Sequence, residues 1–380
     1  MWDAVIAGGG ASGLSLAAHL AAGEWRDRQV LVVDDGSRPL DGRTWAFWST
    51  GGGLLDAAVD RCFDRLRLHG HRRVVDARLD RYRYRLVSGT GLRRAASALV
   101  EGAPGFSVQR GHVDAVDDLP GGAVVTVDGR AVETRWAFDS VTEAPAASAA
   151  AWLTFTGQEV TTSADRFDPR VPVLMDFRTA QDGGVCFVYV MPSGPRQALV
   201  EHTRFATRPA ASGDQALQAY LNDVVQAAPY QVVRREGARL PLRLPRPRAS
   251  AGHIMPIGIR GGMLKASTGY AYGRIQRDSA AIARSLADQG HPFAPQITRR
   301  RHAYLDAVLL DVLAAEPDRL ESTFLRLFDR NPADLVLRFL DEDSSLGQEA
   351  RLVLTLPPLP FLRAMARRTR RMRRPGLEPG

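Results

Sequence analysis

The sequence predicts the α/β class: a Rossmann-type parallel sheet of βαβ units, a separate antiparallel sheet, and a helical C-terminal segment. Three observations predict it. A glycine-rich turn joins a short apolar stretch to a helical one at the start of the chain, and a run of alternating strands fills the middle. A second succession of strand, glycine turn and helix follows, after which the pattern stays helical. At 380 residues the chain exceeds the usual size of a single core, so two domains, or one domain with large insertions, are expected.

Residues 3–7 read as a buried strand, "GGGASG" at 8–13 as a tight turn, Leu14 to Ala22 as a helix and "QVLVVDD" as the next strand. Alternating segments from about Asp56 to Val127 include the strands "FSVQRG" and "AVVTVDG", and "WAFDS" at 136–140 returns to the first sheet. "APAASAAA" at 144–151 is a compositional break. From Trp152 to about Pro247 the pattern is "VPVLMDF", then "GVCFVYVM" and "QALVEHTRF" joined across Pro192-Ser193-Gly194-Pro195, a hairpin, with one helical stretch near Ala216 to Ala227. After "RLPLRLPRPR" the first sheet resumes, and residues 300–374 read as helices broken at Asn331-Pro332 and Pro357-Pro358. The expected division is a dinucleotide domain over 1–150 and 249–295, an antiparallel substrate domain over 151–248, and helices with a basic tail over 296–380.

Composition narrows the function classes. No apolar run approaches the roughly 20 residues that span a bilayer, and the Met1-Trp2-Asp3 start lacks the basic region of a secretory signal. Cys62 and Cys186 are too few for a disulfide framework and fit a reducing, cytoplasmic compartment. The net charge of +8 is largely local, because seven arginines fall between Arg363 and Arg374. That tail suits nucleic-acid backbone, an anionic membrane with Phe361, Leu362, Met365 and Met372 dipping inward, or plain solvation. Nothing outside it interleaves aromatic with basic residues, so no nucleic-acid partner is expected. Of the 50 basic residues all but one are arginine, and the single lysine is Lys265.

Gly8, Gly10 and Gly13 form G-x-G-x-x-G, a weak motif alone. Here it follows a strand, opens a helix through Ala11 and Ser12, and is trailed by Asp34 at the end of the next strand. The glycines permit the turn, the approach of a pyrophosphate and the packing of helix on strand, while Asp34 suits ribose hydroxyls. That leaves NAD and FAD open. The second glycine-rich turn, at 258–273, favours FAD, whose isoalloxazine needs a helix N-terminus of its own.

"RTWAFW" at 43–48, "WAFDS", "VLMDF" at 173–177, "FVYVMPSGPRQALVEHT" at 187–203, "LKASTGYAYGRI" at 264–275 and "RFLDEDSSLGQEARLVLTLPPLPFLRA" at 338–364 resemble the FAD-dependent bacterial lycopene β-cyclases, in that family's order. The chain departs from the family after Asp139, with Val141-Thr142 where an arginine and a proline are frequent. The resemblance implies a redox-neutral isomerase that protonates a linear carotenoid ψ-end and closes a β-ionone ring, with FAD active in its reduced form and NADPH as electron source. With such a substrate, the basic tail would keep the protein peripherally at the membrane where polyenes dissolve. Cofactor contacts are expected from Arg43, Asp139, Gly258, Lys265, Thr268, Gly269 and Tyr270.

The proposed catalytic glutamate of the family falls at Glu201. Strand alternation places it on one face with Leu199, Thr203 and Phe205, and His202 and Arg204 on the other with Ala198 and Val200. In an apolar cavity desolvation would keep it protonated, as an acid that attacks an alkene must be; on the pattern alone it reads equally as a paired strand carboxylate. Trp45, Phe47, Trp48, Phe187 and Tyr189 are candidates to face a carbocation, or ordinary core. Lys265, ahead of an expected helix N-terminus at Ser267-Thr268-Gly269, is read as a compact charge beside flavin or substrate. Asp341 to Ser345 reads as a helix end, with Asp343 or Ser344 as its cap. No histidine shows metal-ligand spacing, so no metal is expected. The rival reading is an FAD-dependent monooxygenase or reductase acting on a lipid-like or aromatic substrate.

Overall fold

A strand buried on both faces must be apolar throughout, and residues 4–7 of the strand Trp2–Ala7 are. Ala4 and Ile6 pack on the helices Ala11–Ala21 and Tyr272–Gln289, while Val5 packs with Ala123, Val125 and Val127 on the opposite face. The computed structural model describes residues 1–142, 149–244, 252–293 and 300–372. In it this strand is central to a seven-stranded sheet. Its parallel part runs Phe106–Arg110, Val30–Asp34, Trp2–Ala7, Arg130–Asp139 and Ile254–Pro256. The start of Arg130–Asp139 instead pairs antiparallel with Gly122–Val127, which pairs with Val113–Leu119. The chain thus enters the strand of Asp139 through a meander, leaves the sheet after Asp139 and returns to it at residue 254, as the second strand-turn-helix pattern predicts.

The second sheet also has seven strands, in the order Tyr230–Leu242, Ala151–Thr162, Gln197–Ala206, Val185–Pro192, Val173–Asp176, Arg65–His69 and Val74–Arg78. The hairpin across Pro192 to Pro195 has the expected register, Pro192 opposite Ala198. Two of its strands, Arg65–His69 and Val74–Arg78, lie within residues 1–150, and Arg65–His69 joins in parallel to Val173–Asp176. Between the sheets stands a three-stranded one of Thr44–Ser49, Arg83–Ser88 and Val59–Phe63.

Alternation along Gln197–Ala206 sends its side chains to two different cores. Ala198 and Val200 meet Leu217, Tyr220 and Leu221 of the helical segment 214–224. Leu199 and Phe205 face the C-terminal helices, which contribute Leu325, Phe328 and Val336 to one cluster and Val308, Val312 and Leu313 to another. These helices, Arg300–Ala315, Leu320–Arg330, Ala333–Leu340, Leu346–Thr355 and Pro358–Met372, seal one face of the second sheet. The cap expected at Asp343 or Ser344 lies one or two residues later: Ser345 Oγ accepts the Gln348 N–H and the Gln348 side chain accepts the Ser345 N–H, a reciprocal pair that neither predicted residue makes. Residues 144–148 of the compositional break, 245–248 of the proline-rich stretch and 373–374 of the basic tail lie outside the described residues.

Candidate active site

The first glycine turn is shaped for a ligand that touches backbone. Gly8 has φ +102°, and a Cβ there would meet Ser140 Oγ at 2.3 Å; a Cβ on Gly13 would lie 1.8 Å from the Gly8 carbonyl oxygen. At Gly10, by contrast, a Cβ would meet nothing within 4 Å, so the turn opens outward there. The helix that starts at Ala11 has no side-chain cap and no acid in its first turn, so its first N–H groups are available to an anion. Asp34 holds the turn by accepting the Gly9 N–H at 2.6 Å and also takes the Gly36 N–H. Gly10, Ala11, Ser12 and Asp34 therefore fit a dinucleotide pyrophosphate and ribose, as the spacing predicts.

The second glycine turn packs directly on the first. Gly258 has φ +61°, and a Cβ on it would lie 2.5 Å from Ser12 Oγ. Gly269, at φ +74°, has Leu153 of the second sheet against it. The turn 264–271 is closed by the Lys265 N–H on the Tyr270 carbonyl, the Gly269 N–H on the Lys265 carbonyl and the Tyr270 N–H on Thr268 Oγ1. The helix begins at Tyr272, three residues past the expected N-terminus at Thr268-Gly269.

Three expected cofactor residues are committed elsewhere. Lys265 is 5% exposed, and its ammonium donates to Asp306 Oδ1 at 3.0 Å and to Glu342 Oε1 at 2.8 Å, where Arg274 joins it. It completes a buried ion cluster, because two carboxylates this deep require cations beside them. The carboxylate of Asp139 is fully buried; it accepts the Val141 and Thr142 N–H groups and the Thr142 hydroxyl, and pairs with Arg260 at 2.8 Å. It braces the wall of the turn. Arg43 donates to the Gly237 carbonyl at 3.0 Å, on the second sheet.

The aromatic candidates divide by strand parity. Trp45 and Phe47 point to Tyr272, with ring centroids 6.2 and 4.7 Å away, and Trp48 points the other way onto Tyr270 at 4.6 Å. Tyr270 in turn meets Tyr189 at 6.5 Å and shares a hydrogen bond of 3.1 Å with the Tyr84 hydroxyl. Phe187, packed between Phe177 and Tyr189, is core. Trp48, Tyr84, Tyr189 and Tyr270 thus pack as one aromatic cluster, and burial pushes the three phenols well above their ordinary range. A cavity of about 470 Å³ is lined by Phe47, Trp48 and Tyr272, among others.

Glu201 lies against that cluster, beside Tyr189, its neighbour across the hairpin. It is half-buried, and burial first, then the charge of Glu236, push its carboxyl well above the usual range. Sequence reasoning missed Glu236. It lies two strands away with Gly157 between, each opposite Gly157 in register. Burial raises its carboxyl as well, but Arg234 at 3.5 Å and the Thr44 N–H at 2.9 Å oppose the rise. Tyr84, also missed, joins the aromatic cluster from the three-stranded sheet. Neither had a local signal; only strand register reveals them.

The family model described as "Lycopene cyclase protein" matches residues 3–366. The lycopene beta-cyclase of Paracoccus sp. (strain N81106 / MBIC 01143) is 29% identical over 387 residues, covering 94% of this chain and 95% of that protein. The lycopene beta-cyclase of Pseudescherichia vulneris is 28% identical over 214 residues, 50% of this chain and 53% of that one. Among solved structures, flavin-dependent brominase Bmp2 matches with a TM-score of 0.64 at 14% identity, over 97% of this chain and 99% of that one. The p-nitrophenol 4-monooxygenase PnpA of Pseudomonas putida DLL-E4 matches at 0.60 and 12%, over 90% and 97%. At such identities the structural likeness is one of fold.

Proposed function

This chain belongs to the lycopene cyclase family, and from that premise we propose that it closes the ψ-end of a lycopene-like linear carotenoid into a β-ionone ring without net oxidation or reduction. The observation that carries the reading is the placement of Glu201 beside the aromatic cluster of Tyr189, Tyr270 and Trp48, where burial pushes its carboxyl well above the usual range. An ordinary carboxylic acid is ionised at neutral pH and protonates no alkene; a desolvated one holds its proton until a better acceptor is pressed against it. Glu201 gives that proton to the terminal double bond, the second double bond attacks the resulting cation, and loss of a ring proton restores an alkene. Trp48, Tyr189 and Tyr270 offer π faces to the cation. Leu199, next to Glu201 on its face of the strand, and Phe205, one position beyond Thr203 on that face, are both buried and keep water from capturing it.

Gly8, Gly10 and Gly13 with the Ala11 helix N-terminus would hold the pyrophosphate of FAD, Asp34 its ribose, and the 258–270 turn its ring end. Reduced FAD, with NADPH as its electron source, would supply a fixed negative charge that stabilises the cation. On this reading residues 1–150 and 249–295 carry the cofactor and 151–248 the substrate, with residues 65–78 lent to the substrate sheet.

Among the described residues no helix is long and apolar enough to cross a membrane. The helix Pro358–Met372 instead exposes Leu359, Leu362 and Met365 among Arg363, Arg367 and Arg370, and Leu354 beside it is 85% exposed. That surface suits peripheral contact with an anionic membrane. Cosedimentation with anionic vesicles, lost in Leu359→Ser/Leu362→Ser, is the expected result; undiminished binding by that variant rejects the assignment.

The decisive experiment gives dithionite-reduced protein lycopene in detergent. The product should have unchanged mass and new rings, and should vanish in Glu201→Gln while flavin stays bound. Cyclisation by Glu201→Gln overturns the assignment of the acid. Oxygen or NADPH consumed in proportion to product points instead to an oxygenase or reductase.

A further inference from the structure

We propose that Glu236 is a positioning residue that keeps the acid proton on Glu201, the two carboxyls forming a pair that holds one proton across Gly157. The inference rests on the reading of Glu201 as the acid. Three adjacent strands place Glu201, Gly157 and Glu236 in one row, Gly157 opposite Glu201 on one side and opposite Glu236 on the other. Adjacent strands lie about 4.8 Å apart, so two glutamates separated by a full strand meet only if both lean over whatever stands between them. What stands between them is a glycine. A Cβ there would lie 2.9 Å from Glu201 Cγ, 3.2 Å from Glu236 Cγ and 3.3 Å from Glu201 Oε1. Gly157 sits mid-strand, paired in register with Glu201 and with Glu236 and two residues short of a bulge at Glu159/Val160, so its own position does not demand glycine, which a strand interior normally disfavours. The two carboxyls occupy the space that a side chain would fill.

The pair is asymmetric. Glu236 Oε2 takes the Thr44 N–H at 2.9 Å and lies 3.5 Å from Arg234, which is itself fixed by Glu159 at 2.6 Å and by Thr44 Oγ1 at 2.7 Å. Arg43 adds positive charge on the same side. Glu236 Oε1 is buried without an N–H or hydroxyl donor, and the protonated carboxyl of Glu201 supplies one. Among the described residues, the polar groups felt by Glu201 besides Glu236 are the phenols Tyr84, Tyr189 and Tyr270 and the distant Arg234. Two carboxylates this close cannot both ionise cheaply, so the single proton settles on the one without donors of its own.

The arrangement also closes the proton balance. Glu201 gives its proton to the terminal alkene carbon, one C–H bond forms, and the pair becomes doubly negative beside the cation. Ring closure consumes the second π bond; when the ring C–H breaks, its electron pair becomes the new alkene and its proton returns to the pair. No external acid or base is needed.

The test measures the pH at which Glu201 ionises, by the infrared C=O band of its protonated carboxyl and by the alkaline limb of kcat. Glu236→Gln removes the neighbouring charge and should move both midpoints down by about one pH unit or more. Gly157→Ala forces the carboxyls apart and should move them the same way, which keeps the question open to measurement if Glu236→Gln does not fold. A purely structural role for Glu236 would lower kcat at every pH and leave both midpoints in place, and that result overturns the proposal. Cyclisation by Glu201→Gln would instead remove the reading beneath it, so the two failures are distinguishable.

Discussion

Replacing Lys265 with methionine should destabilise the fold by about 3–5 kcal/mol, the cost of leaving one charge of a buried pair uncompensated. The ammonium donates to Asp306 Oδ1 and Oδ2 at 3.0 and 3.1 Å and to Glu342 Oε1 at 2.8 Å, and Arg274 reaches the same Glu342 oxygen at 2.8 Å. Two cations thus balance two carboxylates, each side chain at most 7% exposed. Methionine fills the volume but leaves a surplus negative charge. With an unfolding entropy of about 2.1 cal/mol/K per residue, a chain of 380 residues loses roughly 4–6 °C in Tm for that penalty. Adding Asp306→Asn should recover part of the loss, because it removes the surplus charge. Circular-dichroism melts of the flavin-free protein read the effect. An unchanged Tm together with lost flavin binding would refute the ion-cluster account and restore Lys265 as a charge for the cofactor.

Two further predictions concern groups that the fold holds under constraint. Because burial raises the Glu201 carboxyl above its value in the unfolded chain, the stability it contributes is full below about pH 4.3 and is lost as pH rises toward its folded value, by about 1.4 kcal/mol per unit of displacement. Glu201→Gln should therefore match the wild type near pH 4 and outlast it in urea near pH 8; a wild type more stable than the variant at both pH values contradicts the desolvated site. Gly258→Ala places a Cβ 2.5 Å from Ser12 Oγ at a φ of +61°, costing about 1–2 kcal/mol for the backbone alone and wedging the two glycine turns apart. Flavin affinity, read by fluorescence quenching, should fall about tenfold or more. Unaltered affinity would show that the contact between the turns does not shape the cofactor site.

The sequence by itself determined what depends on neighbours along the chain. The spacing of Gly8, Gly10 and Gly13 between a strand and a helix fixes a tight turn that leaves backbone open at Gly10, and the hairpin at Pro192 to Pro195 set the pairing of its strands. Alternation along residues 197–205 correctly divided Leu199 and Phe205 from Ala198 and Val200, and so put Glu201 on the face turned to the C-terminal helices. Period-two alternation also separates Trp48 from Trp45 and Phe47, although reading the three as one aromatic group obscured it. The tertiary structure alone decided which charges meet. Asp34 and Asp139 both end strands of the first sheet, yet Asp34 holds the cofactor turn while Asp139 is spent on Arg260 and its own loop. Lys265 turned from the expected cofactor to Asp306 and Glu342, and Glu236 came to Glu201 over Gly157. Electrostatic partners are selected over a few ångströms, and those distances follow from strand register and helix packing between residues far apart in the chain, which no local period records.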